Sequence, residues 1–396
     1  MNEHDQFTAF VSRLRGVSLL VGVIGAALCA VGYFTAPARF FQAYLFGYMF
    51  WLGLTLGSMI VLMIHGLTGG GWGLALRRVS EAAMGTLPLM ALLFTPLLAG
   101  IPMLYEWAHE EVVEADSVLQ AKSAYLNVEG YQIRAAVIFA VWLVFWRLLM
   151  HWSPNEETNP DSPRSIRLQR ASGLGLALYG LAITIGSVDW VMSLEPHWFS
   201  SMYGILWASS EGLSGLTFAI LAITVLDRFE PWRRIATTGR RHDLGNLLLA
   251  FTMFWAYVAF MQFLIIWSGN LPEENVWYLA RSVGGWELIV MALMALSFAL
   301  PFFLLLLRDV TRHRLRLCQV ASWLLFMQVV YGYWMIEPAF SPQTLTIHWL
   351  HPVALAAIGG FWLTMFAWRL PALAAMPIYD PELTEAVDER TGHAIA

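Results

Sequence analysis

The sequence predicts an all-α, polytopic membrane protein with ten transmembrane helices. Of its 396 residues, 58% are hydrophobic and only 13% are charged, whereas a soluble domain of this size would carry far more charge. Apolar runs of about twenty residues, the length that crosses a hydrocarbon core of about 30 Å, recur along the chain. We therefore expect one integral membrane domain over 1–396, with an N-terminal segment (1–15), a ten-helix core (16–370) and a tail (371–396).

Ten apolar runs define the predicted helices in order. They cover residues 16–35, 40–65, 84–105, 133–150, 171–194, 202–226, 244–267, 285–307, 315–336 and 350–370. Arg134 and Arg147 lie near the ends of the fourth run, where long side chains can reach the polar surface. Pro88 and Pro96 are expected to bend the third. The longer connections 66–83, 105–116 and 151–165 are too short for a second globular domain.

The positions of lysine and arginine predict the orientation. Nineteen of the 23 lie in the terminal segments or beside the connections after helices 2, 4, 6 and 8, and the other four are Arg39, Lys122, Arg134 and Arg281. Positive residues are retained on the cytoplasmic side, so both termini are expected in the cytoplasm. No small-residue cleavage site follows the first run, so a removable signal peptide is not expected. The lipid bilayer is the expected surrounding, and no nucleic-acid partner is expected.

Weak internal similarity predicts a repeat. The dipeptides at 46–47 and 94–95 match those at 203–204 and 251–252 at an offset of 157 residues, and "MSLEPHWFS" resembles "WMIEPAFS" at an offset of 142. Repeated units of this kind are common in membrane proteins. These matches predict two four-helix bundles, helices 2–5 and 6–9, in the same orientation, with helices 1 and 10 peripheral.

Two carboxylates inside apolar runs are the strongest candidates for function. Asp189 precedes the predicted external end of helix 5, and Glu211 lies within helix 6 on a small polar face with Ser210 and Ser214. An ionisable group inside a membrane is costly unless it is paired, and it indicates a functional site by default. Such a group can hold or pass a proton.

Other residues extend this candidate site. Glu195 and His197 at the membrane surface would continue a proton path to the outside, and Trp190 and Trp198 would flank a flat ring. The alternative is that the carboxylates join helices as hydrogen-bonding groups. For the aromatic residues, including Tyr203, an interfacial aromatic belt is the favoured interpretation.

Two further polar sets are weaker candidates. Tyr257 and Gln262 in helix 7 are candidate lining residues, although packing and capping account for them as well. His65, Glu81, His151 and Asp243 lie at the predicted cytoplasmic ends of helices. They are candidates for an inward proton half-channel, but solvated helix ends are the favoured interpretation.

The histidines and cysteines argue against a cofactor bound by this chain alone. Cys29 and Cys318 lie in different helices and form no C-x-x-C motif, which excludes an iron–sulfur cluster ligated by cysteines of this chain alone and a covalently attached c-type haem. No histidine lies at a helix centre, so haem b is not expected, and no metal site is predicted. If the protein handles electrons, another molecule carries them.

Four stretches resemble the NrfD/PsrC-like membrane subunits of alternative complex III, most of all the smaller of the two. They are "SVDWVMSLEPHWFSSMYG", "HDLGNLLLAFTMFWAYVAFMQFLIIWSGNLPEE", "LTGGGWG" and "GTLPLMALLFTPLL", and the resemblance covers about residues 40 to 350. It implies ten helices with two four-helix bundles in the cytoplasmic (inner) membrane of a bacterium. The implied complex oxidises menaquinol or ubiquinol and passes electrons through iron–sulfur and c-haem subunits to cytochrome c or an oxidase.

The resemblance also implies partners and roles. The partners are iron–sulfur, c-haem and sister NrfD-like membrane subunits, and in this family the better-supported quinol pocket belongs to the larger sister subunit. Asp189, Glu211 and His197 match motif positions, which implies a proton-conducting or quinol-facing role for them. Two alternatives from other classes are a secondary transporter or proton channel, and a purely structural anchor of a redox complex.

Overall fold

Every regular element that the computed structural model describes, over residues 3–156, 164–229 and 232–373, is a helix. Ten of the helices are long and apolar enough to cross a membrane. They are α1 (Asp5–Thr35), α2 (Pro37–Thr68), α3 (Ala75–Ala99), α4 (Val128–Trp152), α5 (Ile166–Leu194), α6 (Tyr203–Leu226), α7 (Thr238–Gly269), α8 (Trp286–Leu306), α9 (Arg314–Ala339) and α10 (Leu350–Pro371). Each predicted run therefore falls on one of these helices.

The first helix begins well before residue 16, where its apolar run starts. Phe7 and Val11 are buried on this added length, and the Phe7 ring packs edge-on against Phe229 with 5.6 Å between ring centroids. Helix formation continues through the polar N-terminal residues because one face still packs on the protein. Most of the predicted tail, residues 374–396, and residues 157–163 of the predicted connection 151–165 lie outside the described residues.

The prediction of a loop over 66–83 is wrong. A helix covers Gly71–Met84, and its buried Glu81 accepts hydrogen bonds from Arg77 Nε (3.2 Å) and Arg78 Nη1 (2.8 Å). These charges are spaced three and four residues apart, so they meet on one helix face. The segment thus forms a buried helix in which one carboxylate pairs with both arginines.

Proline interrupts two of the long helices. Helix α3 continues in short segments, Leu87–Leu93 and Thr95–Ala99, each with a proline in its first turn, since Pro88 and Pro96 have no N–H to donate. Helix α8 contains a π-helical segment, Leu293–Ala299, before Pro301. The Trp323 indole N–H donates to the Leu296 carbonyl in this segment at 2.8 Å.

Helices α2 and α6 lie side by side at the centre. An added Cβ at Gly57 would lie 1.8 Å from the Glu211 carbonyl oxygen, and one at Gly215 would lie 2.2 Å from the Gly57 carbonyl carbon. Gly53 and Gly57 form a G-x-x-x-G pattern, which allows two helix backbones to approach closely. Helix α2 also contacts α3, α5, α9 and α10, while α6 contacts α5, α7 and α9.

The remaining helices surround this central pair. Helix α4 packs on α3 and α5, helix α8 packs on α7 and α9, and α1 runs along α10. Short helices cover the predicted external end (Glu106–Ala108, Glu110–Ala115, Ser117–Lys122 and Pro272–Ala280) and the predicted cytoplasmic end (Trp232–Ile235 and Arg308–Arg312).

Candidate functional site

Asp189 is fully buried near the predicted external end of α5. Arg134 of α4 donates from Nε to Asp189 Oδ2 at 2.7 Å, and its guanidinium lies 4.0 Å from the centroid of the Tyr125 ring. Asp189 Oδ1 has no hydrogen-bond partner among the described residues, although the Tyr125 hydroxyl lies near enough to interact with the carboxylate. Asp189 is therefore an ion-paired carboxylate with a phenol hydroxyl beside it.

Arg134 lies near the end of its helix, where a long side chain can reach the polar surface, but it contacts Asp189 instead. Its side chain is 21% exposed and is paired with Asp189 inside the protein. Arg147 at the other end of α4 is exposed, as expected. The buried pair is favoured because an isolated carboxylate at the Asp189 position would carry a large desolvation cost.

An aromatic shell surrounds the Asp189 site. Trp190 is fully buried among the rings of Phe94, Phe139 and Trp142, with centroid distances of 5.0 to 5.9 Å. The Tyr105 hydroxyl donates to the Trp190 carbonyl at 2.9 Å, and burial raises the pKa of this phenol well above its usual value. Tyr105 therefore remains a hydrogen-bond donor at physiological pH.

The favoured interpretation of Trp190, Trp198 and Tyr203 as an interfacial belt is wrong, because all three are buried inside the protein. Trp198 stacks on Trp277 at 4.9 Å, contacts the Tyr203 ring and donates to the Glu274 carbonyl at 3.0 Å. These rings pack the loops onto the helix ends. Belt residues would instead face lipid head groups.

Glu211 is buried where α6 crosses α2. The Tyr179 hydroxyl of α5 donates to Glu211 Oε2 in a short hydrogen bond, and Oε1 has no hydrogen-bond partner among the described residues. Gly53 lies against the side chain, since an added Cβ there would lie 3.1 Å from Glu211 Cγ. No cation from the described residues pairs with Glu211.

The serines expected to share a polar face with Glu211 point to other partners. Ser210 Oγ donates to Gln328 Oε1 of α9 at 2.6 Å, and Ser214 Oγ donates to the Ser210 carbonyl at 2.8 Å. Adjacent positions on a helix point in different directions. Ser210 therefore links α6 to α9, whereas Glu211 faces α2 and α5.

The two candidate carboxylates occupy separate sites joined by α5. Asp189 lies on α5 itself, and Tyr179, the partner of Glu211, lies ten residues earlier on the same helix. At 1.5 Å per residue the two α5 positions are about 15 Å apart along the helix axis. The structure thus places two buried carboxyl groups at different depths.

Glu195 forms a further ion pair, and His197 forms a separate hydrogen bond. Arg281 donates to Glu195 through Nη1 (3.2 Å) and Nη2 (2.7 Å). His197 is exposed and contacts Asp116 Oδ2 through Nε2 at 2.6 Å. The hydrogen bond from His197, with those from the Val118 and Leu119 amides, lowers the pKa of Asp116. The two residues face different partners, so they form no direct chain outward from Asp189.

The sequence interpretation missed a third buried acid on the predicted external side. Glu337 is fully buried and lies 3.0 Å from His351 Nε2 and 3.3 Å from Arg39 Nη1. It corresponds to Glu195 in the repeat at the offset of 142, because both precede a proline after a long helix. That repeated Glu-Pro pair was the available signal, and each of its glutamates pairs with an arginine from elsewhere in the chain.

The two candidate lining residues of α7 lie in different environments. Tyr257 is 60% exposed, whereas Gln262 is buried, so Tyr257 does not line an interior site with Gln262. Ser200 Oγ donates to Gln262 Oε1 at 3.4 Å. This contact attaches the loop before α6 to α7, which fits the packing interpretation of Gln262.

The candidate half-channel residues also lie in different surroundings. Asp243 and His151 are exposed, as the favoured interpretation of solvated helix ends requires. Glu81 is buried between Arg77 and Arg78, so that interpretation is wrong for Glu81. His65 is partly buried and packs edge-on against Trp72, with 5.2 Å between ring centroids.

No known protein-family profile matches the chain, and no curated protein matches it significantly.

Proposed function

We propose that the chain is a membrane subunit of a bacterial quinol-oxidising complex of the NrfD/PsrC-like type, in which it transfers protons. One observation carries the proposal. Asp189, beside Arg134 and Tyr125, and Glu211, beside Tyr179, are buried at different depths of adjacent helices, and each has one carboxylate oxygen without a hydrogen-bond partner among the described residues. Buried carboxyl groups of this kind mark proton relays in membrane proteins.

The two groups suit different steps of a relay. Arg134 stabilises the charged form of Asp189, which can then accept a proton at Oδ1. Among the described residues Glu211 has a phenol and no cation as its partner, and burial without a cation favours the protonated form of a carboxyl group. Arg134 thus favours the charged form of Asp189, and the surroundings of Glu211 favour its protonated form.

Quinol oxidation supplies the protons in this proposal. A quinol that becomes a quinone releases two electrons and two protons. The electrons pass to iron–sulfur and c-haem groups of partner subunits, and the protons need acceptors such as Asp189 near the external face. The chain itself binds none of those redox groups in this scheme.

The helix contacts support an arrangement of two four-helix bundles. Contacts of α2 with α3 and α5, and of α4 with α3 and α5, have counterparts in α6 with α7 and α9, and α8 with α7 and α9. The close crossing of Gly57 and Gly215 would join the bundles. In this proposal the chain lies in the bacterial inner membrane, and both termini are cytoplasmic because positive residues are retained on that side.

The transporter alternative receives less support. Transporters with repeats typically interrupt equivalent helices of the two halves at the membrane midplane. Here the interrupted helices are α3 and α8, the second helix of one proposed bundle and the third of the other. The interruptions are explained by nearby prolines.

Purification in a mild detergent tests the proposed assembly. An affinity-tagged full-length chain should co-isolate with subunits that contain c-type haem and iron–sulfur clusters, and the isolated complex should oxidise menaquinol or ubiquinol. Isolation of the chain alone, with active transport after reconstitution into vesicles, would contradict the proposal and favour the transporter.

A further inference from the structure

A basic cavity lies at the predicted cytoplasmic ends of α6, α7 and α9. Its volume is about 390 Å³. Its lining comprises Asp227, Arg228, Arg233, Ala236, Thr237, Thr238, Arg241 and Arg314. Four arginines and one aspartate give this lining an excess of three positive charges.

Two of the four arginines, Arg241 and Arg314, are held in place by Asp227 and by backbone carbonyls. Asp227 is buried, with Oδ1 2.8 Å from Arg314 Nη2 and Oδ2 4.0 Å from Arg241 Nη1. Arg314 also donates to the Thr224 carbonyl at 2.7 Å, and Arg241 donates to the Ala236 carbonyl at 2.5 Å. Their guanidinium groups are therefore oriented before any ligand binds, which lowers the entropic cost of binding.

The cavity keeps capacity for an anion. Arg241 Nε is buried and donates to no other described atom. Thr237, the N-cap of the long helix α7, also lines the cavity, so the positive end of the helix dipole lies beside it. Within the described lining, Asp227 is the one carboxylate beside Arg228, Arg241, Arg314 and this helix N-terminus.

The other two arginines, like Arg314, are exposed at the rim of the cavity. Arg228 and Arg233 are exposed, and the Arg228 guanidinium lies 4.4 Å from the centroid of the Phe10 ring and 4.9 Å from that of Phe229. The Phe10 ring belongs to α1, which begins on this side. At the rim, a positive charge therefore lies against an apolar side chain of a membrane helix.

We infer that this cavity binds a phosphate group, carried by an anionic phospholipid or by a soluble phosphate compound. Guanidinium groups bind phosphate oxygens in pairs of parallel hydrogen bonds. Basic pockets between membrane helices on the cytoplasmic side suit lipid head groups, and the cavity volume is within the range of small-ligand sites. This inference does not depend on the proposed function.

Lipid titration of the full-length protein, with any subunits that co-purify, tests the inference. Phosphatidylglycerol should bind in detergent at low salt and raise the unfolding temperature, and phosphatidylcholine should do so far less. Arg228→Gln with Arg233→Gln should weaken phosphatidylglycerol binding by roughly tenfold or more. The matched control is Arg308→Gln with Arg312→Gln, which removes two exposed arginines on the same side but outside the cavity.

Inorganic phosphate distinguishes the two sources. Competition by millimolar phosphate supports a soluble phosphate ligand, and phosphatidylglycerol binding that phosphate does not displace supports a lipid. The inference would be overturned if neither phosphatidylglycerol nor phosphate bound. It would also be overturned if Arg308→Gln with Arg312→Gln weakened phosphatidylglycerol binding as much as Arg228→Gln with Arg233→Gln. If the glutamine pair does not fold, Arg228→Lys with Arg233→Lys keeps the charge, and the inference then requires weaker phosphatidylglycerol binding because lysine cannot bind in a bidentate manner.

Discussion

At the scale of single residues, the predicted external side contains three acids that pair with arginines. Asp189 pairs with Arg134, Glu195 with Arg281, and Glu337 with Arg39 and His351. Each pair joins different parts of the chain. The burial of Asp189 and Glu211 could be predicted from the apolar runs around them, but their partners could not, because helix rotation decides which side chains meet.

Breaking the Asp189 pair should destabilise the protein. In Asp189→Asn the Arg134 charge loses its partner, and we expect a loss of about 3 kcal/mol in the free energy of unfolding. Arg134→Gln should cost a similar amount because it leaves Asp189 buried and unpaired. The double variant should lose much less than the sum of the two, as measured by unfolding in detergent. Additive losses would show that the two groups do not interact.

The contact between Asp116 and His197 predicts a local dependence on pH. Hydrogen bonds lower the pKa of Asp116 below its usual value of 3.8. The contribution of Asp116 is thus complete above that value and is lost as the pH falls through its lower folded pKa. Hydrogen exchange at the amides of Val118 and Leu119, which donate to this carboxylate, should then accelerate relative to the intrinsic rate. The same acceleration in Asp116→Asn would show that Asp116 is not responsible.

At the scale of helices, length and apolarity predicted all ten long helices, whereas local chemistry changed their boundaries. The sequence predicted a loop over most of Gly71–Met84 because a hydropathy profile counts Arg77, Arg78 and Glu81 as polar and does not show that they pair. The π-helical segment of α8 depends on Pro301 and on an indole from α9. Neither contact is visible in the periodicity of one segment.

The close crossing of α2 and α6 predicts that one added methyl group will destabilise the protein. Gly57→Ala would place a Cβ 1.8 Å from the Glu211 carbonyl, so we expect the helices to separate at a cost of about 2 kcal/mol or more. The control is Gly180→Ala in α5, where nothing lies within 4 Å of the added Cβ, and it should be neutral or slightly stabilising. Thermal unfolding in detergent measures both. Equal stability of the two variants would contradict this close packing.

At the scale of the whole molecule, the distribution of charge predicts the topology. We propose to replace the native Cys29 and Cys318 by alanine and to introduce single cysteines as Glu111→Cys or Arg312→Cys, both at exposed positions. A membrane-impermeant maleimide should label the first in intact cells and the second only after permeabilisation. The opposite labelling pattern would show that the orientation is the reverse of the predicted one.

Proton-coupled turnover of the assembled complex tests the central claim most directly. Glu211→Gln preserves the size of the side chain and an acceptor for Tyr179 but removes the group that carries a proton. We expect quinol oxidation to fall by roughly 100-fold and proton release to fall with it, while exposed Glu111→Gln leaves both unchanged. Quinol oxidation and proton release at the wild-type rate in a folded complex with Glu211→Gln would contradict the assignment of Glu211 to proton transfer.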